Sequence, residues 1–342
     1  MRSWCVKIPR GEGESARKKL LEASLLDISL KIRGEGEYLL LPVNDPEAMG
    51  EMDLMLADFE ERDVLETDYR RLVKVPSDLA GLLPTSYDVV GDIAIVRLVD
   101  ELLPFRRNIG DAMREALSRL RTVAMDKGVQ GEFRVREIEI ISGGPSTITM
   151  HTEFGLHFKV DVSKVYFNPR LASERWRISS LVGRGETVID MFAGVGPFSI
   201  MIAKYASARE IHGIDMNPEA VALMKENIVI NKVKGVNPLL GDARELIGSL
   251  PPADRIIMNL PHSAHEFLEI ASMNLNPMGI IHFYTICERE AIDGFVGDLV
   301  SELKGKGIDL DLMRLEELKT YSPTMSVYSA DLVLIHRPCS PV

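Results

Sequence analysis

The sequence is poor in cysteine: Cys5, Cys287 and Cys339 lie far apart among 342 residues, and no CxxC pair occurs. That spacing excludes a disulfide framework, argues against a cysteine-built zinc site and suits a reducing compartment. No apolar run is long enough to read as a transmembrane helix. The opening residues, MRSWCVKIPRGEGESARKK, turn charged too soon for a secretory signal, so a cytoplasmic protein is expected. Internal repeats and low-complexity tracts are missing. Positive charge is also in deficit, with 40 Lys and Arg against 51 Asp and Glu, a net of −11 that by itself argues against a polyanionic partner. What remains is a globular composition, 46% hydrophobic and 27% charged, on a chain long enough for two or three domains.

The deficit of positive charge is uneven. From Pro104 to Arg184 there are 14 Lys and Arg against 9 Asp and Glu, a local net of +5 that leaves −16 elsewhere. A basic middle within an acidic chain suits RNA, because local potential steers a polyanion more than net charge does. The plainer reading is an ordinary solvated basic surface.

The most informative stretch is VIDMFAGVGPFSI, Val188 to Ile200. An apolar run ends in Asp190, a glycine-rich turn follows, and a helical pattern begins. In an open α/β sheet, nucleotide-like ligands bind in the crevice at such strand ends. A second strand-like segment, EIHGID, ends in Asp215, about 20 residues on, where a carboxylate can hold a ribose diol. A dinucleotide would ask for G-x-G-x-x-G with a pyrophosphate on the helix N-terminus. Here the run is G-V-G-P, and Asp190 would repel a pyrophosphate but suits a cation. The pattern D-x-F-x-G-x-G resembles the S-adenosylmethionine loop of Rossmann-like methyltransferases. GDAR (Gly241 to Arg244) and NLP (Asn259 to Pro261) follow in order, as a cofactor crevice requires.

The organisation predicts three modules. Residues 1–66 read as a small α+β unit: strand, helix, a hairpin around Gly34 to Gly36, then helix and strand. Residues 67–86, with Pro76 and Pro84, read as a linker. Residues 87–181 read as an α+β module, with an amphipathic helix over NIGDAMREALSRLRTVAM followed by antiparallel strands. From 182 to 342 strands alternate with helices, the signature of a largely parallel sheet, and two final strands without a helix between them form an antiparallel edge. The fold class expected is α/β: a Rossmann-like S-adenosylmethionine-dependent methyltransferase sheet at the C-terminus, preceded by two smaller α+β modules.

Three further segments lie in a telling order: GEFRVRE (Gly131 to Glu137), KVYFNPRLASERWRI (Lys164 to Ile178) and MNLPHSAHEFL (Met258 to Leu268). With the glycine loop, they resemble the archaeal and eukaryotic tRNA (guanine-37-N1)-methyltransferase family from about Tyr87 to about His336. The small N-terminal module is similar to that of archaeal members. The resemblance implies methyl transfer from S-adenosylmethionine to N1 of guanine 37, on a base splayed from the anticodon loop. It implies Glu174 as general base, desolvated so that its pKa rises, and Arg134 as donor to the charge gathering at O6. Asn259 and Pro261 would line the base's slot, and Tyr166 would pack on cofactor or base. For the cofactor it implies Arg175, Asp190, Phe192, Gly194, Gly196, Asp215, Met216, Asp242, Ala243 and Asn259. For tRNA, the expected contacts are Lys164, Arg170 and His262, with Arg114, Arg119 and Arg121 added on charge alone. A monomer without an obligatory protein partner is the simplest assembly.

Plainer readings stand beside these. Glu174 can pair with Arg175 or Arg177 on a solvated helix turn. Arg134 and Arg136 can be one basic face of a strand, and Tyr166 can be core. His262 and His265 lack a third ligand at suitable spacing, so no metal site is expected. Ala172 and Ser173 stand where family members often carry two glycines, and a positive φ there would strain Ala172. Relatives in wyosine synthesis, which transfer a methyl or an aminocarboxypropyl arm to a tricyclic base, share the crevice. A non-catalytic tRNA-binding protein is the other alternative.

Overall fold

Alternation along SWCVKI sends Cys5 and Val6 to opposite faces of the first strand, and both are buried. A computed structural model describes residues 1–50, 52–61, 66–131 and 135–338. The chain divides into two compact units, Met1–Arg71 and Leu72–Val342. The first unit runs β1 (Arg2–Pro9), α1 (Gly13–Glu22), β2 (Arg33–Glu35), β3 (Tyr38–Pro42) and β4 (Leu54–Asp58). Its sheet has the order β2-β3-β1-β4 and is antiparallel throughout. Leu20 of α1 packs with Val6 and Leu41 on one face, while Cys5, Leu40 and Phe59 cluster on the other. The unit boundary falls within a short helix, α2 (Tyr69–Leu72).

The second unit begins with β5 (Asp88–Val90), β6 (Ile93–Val96), α3 (Arg106–Ala116), β7 (Thr122–Gln130) and β8 (Val135–Gly143), in sheet order β5-β6-β7-β8. The helix expected to reach Met125 ends at Ala116 instead. Thr122 and Val123 enter β7, where they are buried and pair in parallel with Ile93 and Ala94 of β6. Burial beside β6 outweighs continued helical periodicity, and α3 becomes the crossover that joins two parallel strands. This small sheet is therefore mixed, not wholly antiparallel. Next come the hairpin β9 (Ile148–Glu153) and β10 (Leu156–Asp161), then α4 (Ala172–Leu181). Phe154 and Gly155 turn the hairpin with φ of 46° and 74°, the left-handed pair that a two-residue turn demands.

The large sheet follows: β11 (Thr187–Asp190), α5 (Pro197–Tyr205), β12 (Glu210–Asp215), α6 (Pro218–Asn231), β13 (Val236–Leu240), α7 (Ala243–Leu246), β14 (Ala253–Met258), α8 (Leu268–Met273), β15 (Leu275–Glu288), α9 (Ile292–Gly305), β16 (Asp309–Thr320) and β17 (Met325–His336). Its order is β13-β12-β11-β14-β15-β17-β16. The strands from β13 to β15 are parallel, and β17 and β16 close the sheet as the expected antiparallel edge. The order reverses between β11 and β14, and such a switch point opens a crevice at the carboxyl ends of the strands.

Val90 and Ile93 of the small sheet, Phe158 and Val160 of the hairpin, and Val188, Ile202 and Ile211 of the large sheet share one apolar cluster. The core is continuous across Leu181, where the sequence suggested a module boundary. Two asparagines on one face of α6 fasten the hairpin. Asn227 accepts from the Lys159 N–H at 2.7 Å and donates to the Lys159 and Val195 carbonyls at 3.2 and 3.1 Å. Asn231 repeats the pattern on His157, at 2.8 and 2.7 Å. Each amide thus does for the edge of β10 what a neighbouring strand would do. Asn227→Ala leaves these buried backbone groups without partners and should cost about 2–4 kcal/mol. Urea denaturation checks this, and a loss below about 1 kcal/mol would contradict the role.

Candidate active site

The glycine loop is shaped by what surrounds it. Gly194 and Gly196 have φ of 56° and 84°, and a Cβ on Gly196 would lie 2.7 Å from Cγ of Met224. A side chain there would be strained and crowded. The loop turns over Asp215, whose carboxylate accepts from the Gly194 N–H at 2.7 Å and the Asn217 N–H at 2.9 Å. Asp190 lies beneath, fully buried. Its Oδ2 accepts from the Ser199 hydroxyl at 3.0 Å, and its Oδ1 has no hydrogen-bond partner. Burial raises its pKa to about 7, with the Ser199 hydroxyl opposing and the Asp215 carboxylate reinforcing the rise.

The other strand ends complete the crevice. Asp242, after β13, caps α7 by accepting from the Arg244 N–H at 2.8 Å, and Ala243 behind it is buried. Phe192 meets Phe267 edge-on at 5.0 Å, and the Arg244 guanidinium lies over Phe267 at 4.5 Å. Met216 is exposed beyond Asp215. Asn259, Leu260 and Pro261 follow β14, and the Pro261 carbonyl accepts from the Ile286 N–H at 3.0 Å. Asp190, Phe192, Gly194, Gly196, Asp215, Met216, Asp242, Ala243, Asn259 and Pro261 are thereby gathered along the carboxyl ends of four strands.

Glu174 stands in the first turn of α4, 6% exposed. The Tyr284 hydroxyl donates to its Oε1 at 2.8 Å, and the Tyr284 ring packs 6.0 Å from Phe198, in the first turn after the glycine loop. Arg177 grips both carboxylate oxygens at 2.7 Å. The expected rise in pKa is therefore overturned. Burial does push Glu174 up, but hydrogen bonds and charge from Arg177, with the Tyr284 hydroxyl and nearby Arg314, outweigh it and hold the carboxyl below its ordinary value. The Arg177 pairing named as the plainer alternative exists, but in a buried setting. Ala172 has φ of −56°, so replacing glycine there brings no strain.

Other expected residues have different surroundings from those foreseen. Arg175 is 1% exposed and donates to both Glu153 oxygens, at 2.7 and 2.6 Å, and to the Asn168 carbonyl at 3.2 Å. Its guanidinium sits 5.3 Å from the Phe167 ring and 6.0 Å from that of Phe198, so it braces the wall behind the loop. Tyr166 is 45% exposed, its backbone carbonyl faces Gly194, and Arg136 lies 5.7 Å over its ring. Arg134, the candidate O6 donor, lies outside the described residues. Among the tRNA candidates, Arg170 is held by Asp88 and Ser86, and Arg121 by Asp92 and the carbonyls of Ser146 and Ile148. Lys164 pairs with Glu219 at 3.2 Å. Arg114 and Arg119 are exposed on and just after α3, and His262 is exposed with Tyr321 edge-on at 5.6 Å. Sequence reasoning missed Tyr284, which bonds Glu174, and Asp331 and His282, which are joined to it through Arg177. Their signal was a charged or polar residue inside each of two apolar strand segments, GIIHFYTI and SADLVLIH.

Comparison with known proteins now decides the family. Residues 149–301 match the TRM5/TYW2 methyltransferase domain, residues 70–147 the TYW2 N-terminal domain, and residues 5–48 the tRNA methyltransferase 5 N-terminal domain. The tRNA (guanine(37)-N(1))-methyltransferase Trm5b of Pyrococcus abyssi is 42% identical over 93% of this chain and 95% of its own. The chain belongs to the TRM5/TYW2 methyltransferase family. The crystal structure of P. abyssi Trm5b superposes with a TM-score of 0.77 at 40% identity, covering 97% of this chain and 99% of that one. The aTrm5 chain from its complex with tRNALeu gives 0.72 at 35% identity, covering 96% and 99%.

The family's cofactor is S-adenosylmethionine, and the crevice has the chemistry to take it. The unpartnered Asp190 oxygen suits a cation, Asp215 a diol, and Asp242 an amino group. Among the described residues, no cluster of three His, Cys, Asp or Glu offers a metal site. A pH dependence follows from Asp190. Its folded pKa is about 7 against an ordinary 3.8, so its contribution to stability is full below about 3.8 and is lost as pH rises to about 7. In the ligand-free protein, Asp190→Asn should therefore gain stability relative to the parent, by about 2–4 kcal/mol between about pH 4 and pH 7.5. Denaturation curves at both values test this, and a constant difference would contradict it.

Proposed function

We propose that this chain transfers the methyl group of S-adenosylmethionine to N1 of guanine 37 in tRNA. The observation that carries the reading is Glu174: a buried carboxylate linked through Tyr284 to Phe198, at the start of the helix that follows the cofactor loop. Methylating N1 requires that the N1 proton leave, that charge gathering at O6 be stabilised, and that the methyl lie in line. When bound, the cofactor supplies a methyl activated by its sulfonium. In this reading Glu174 takes the N1 proton, Arg134 donates to O6, and Asn259 and Pro261 shape the slot for the base. Asp190, Asp215 and Asp242 hold the cofactor, and Tyr166, exposed beside Gly194, packs against the flipped base or the cofactor. Arg114 and Arg119 meet the tRNA backbone more freely than Arg121 and Arg170, which already have carboxylate partners. We further read the protein as a cytoplasmic monomer; no helix among the described residues is long and apolar enough to cross a membrane.

Glu174→Gln should slow methyl transfer by roughly 10²–10⁴-fold with little change in cofactor affinity. Parallel loss of both would remove its role as base. The reaction itself is tested with labelled S-adenosylmethionine and two unmodified transcripts, carrying G or A at position 37. Label only with G37, and a primer-extension stop there, supports the reading. The match of residues 70–147 to the TYW2 N-terminal domain favours a second reading, in which the base is a wyosine precursor. Cofactor binding with no label on either transcript would favour that reading. Residues 1–66 are read as a module that contacts the body of the tRNA. Their deletion should weaken discrimination against damaged tRNA more than it slows the chemical step, and equal losses would count against that role.

A further inference from the structure

Beside Glu174 the protein buries a chain of charged groups to which the methyl-transfer reading gives no role. Arg177 donates through Nε and Nη2 to Glu174, both at 2.7 Å, and through Nη1 and Nη2 to Asp331 at 2.7 and 3.1 Å. Asp331 also bonds Nδ1 of His282 at 2.6 Å. Nε2 of His282 bonds Nη1 of Arg255 at 2.9 Å, and Arg255 pairs with Glu186 at 2.9 Å. Glu174, Asp331, His282 and Arg255 are all buried. Five elements converge here: α4 brings Glu174 and Arg177, β14 brings Arg255, β15 brings Tyr284 and His282, β16 brings Arg314, and β17 brings Asp331.

We propose that Arg177 and Asp331 are positioning residues that set the basicity of Glu174: Asp331 retains the guanidinium while Glu174 turns a carboxylate oxygen toward guanine N1. The proposal rests on Glu174 being the base. A carboxylate gripped on both oxygens by a guanidinium is a poor proton acceptor, so catalysis requires that the grip loosen. Were Glu174 the sole partner, its turning away would leave the half-buried Arg177 charge uncompensated. Asp331 averts that, because it already holds the other edge of the same guanidinium.

The proton transfer then balances. The N1 proton passes to Glu174, which becomes a neutral acid, while the N1 electron pair forms the bond to the methyl; the methyl–sulfur bond of the sulfonium breaks, its electron pair stays on sulfur, and S-adenosylhomocysteine leaves as a neutral thioether. Arg177 keeps a counter-charge in Asp331 throughout. His282 fixes Asp331 in turn. Arginine only donates, so Nε2 of His282 accepts from Arg255 and Nδ1–H donates to Asp331. Burial pushes the His282 pKa down, consistent with this neutral tautomer.

The test is the pH dependence of the single-turnover methyl-transfer rate of the full chain, with saturating S-adenosylmethionine and a G37 transcript. Asp331→Asn leaves Arg177 to Glu174 alone. Its acid limb should move to lower pH, and its plateau rate should fall about tenfold or more. Arg177→Met frees the buried carboxylate, and its acid limb should move to higher pH by about one unit. Arg177→Lys, which keeps a charge, should lie between Arg177→Met and the parent. Cofactor affinity should stay within about twofold in all three. A purely structural brace would lower melting temperature and rate at every pH without moving the limb, and that result overturns the proposal. Should Arg177→Met fail to fold, the direction of the Asp331→Asn limb decides alone. If Glu174→Gln keeps the parental rate, the base reading falls and this proposal with it. If Glu174→Gln is slow but the limbs of the other variants stay put, only this proposal falls.

Discussion

A carboxylate taken out of water needs a partner, and the second unit is organised around meeting that need. Glu153 has Arg175, while Glu174 and Asp331 share Arg177. Asp161 accepts from the hydroxyls of Thr147 and Ser163. Asp190 departs from the rule: the Ser199 hydroxyl serves one oxygen and the other has none. An orphaned oxygen in a fully buried acid is costly, and its raised pKa expresses that cost. The exception lies at the end of β11, the first strand of the large sheet, beneath the glycine turn and beside the reversal of strand order.

The two halves of the site are tied to one another by short connections. Asn217 donates to the Lys164 carbonyl at 2.8 Å, joining the segment that carries Tyr166 to the loop after β12. Asn227 reaches both Lys159 in β10 and Val195 in the glycine loop. Arg175 links α4, which carries Glu174, to Glu153 at the end of β9. The cofactor loop, the candidate base and the exposed tyrosine are therefore parts of one packed body. Proximity of reacting groups is worth several kcal/mol of a barrier only when the supports are stiff.

Much of this was legible in the sequence because it was local. Strand, glycine turn and helix in VIDMFAGVGPFSI follow from the apolar run, the glycines and Pro197 at the first helical position. Asp215 and Asp242 could be read as strand-end acids from spacing alone. The crossover through α3 was not legible, since SRLRTVAM fits a helical period and only burial against β6 shows it to be a turn and a strand. The electrostatics of Glu174 were not legible either. Burial of an acid predicts a higher pKa, and the sign reverses chiefly because Arg177, one turn along α4, holds both oxygens, with Tyr284 and Arg314 adding to it from strands more than 100 residues away. A pKa is a sum over neighbours in space: the sequence offers Arg177 as a partner, but neither its grip on both oxygens nor the strand residues beside it.

The same reasoning bears on where RNA can be held. Counting Lys and Arg from Pro104 to Arg184 finds a stretch of net positive charge, and charge acts at long range, so paired cations still contribute to its field. A phosphate contact is different, because it needs free N–H groups at close quarters. Arg121 donates to Asp92 and two carbonyls, and Arg170 to Asp88 and Ser86. Moving Arg121 onto a phosphate would leave Asp92 without its arginine, whereas Asp88 would keep Arg136 if Arg170 moved. Arg121 and Arg170 are thus already engaged by carboxylates, whereas Arg119 is exposed just after α3.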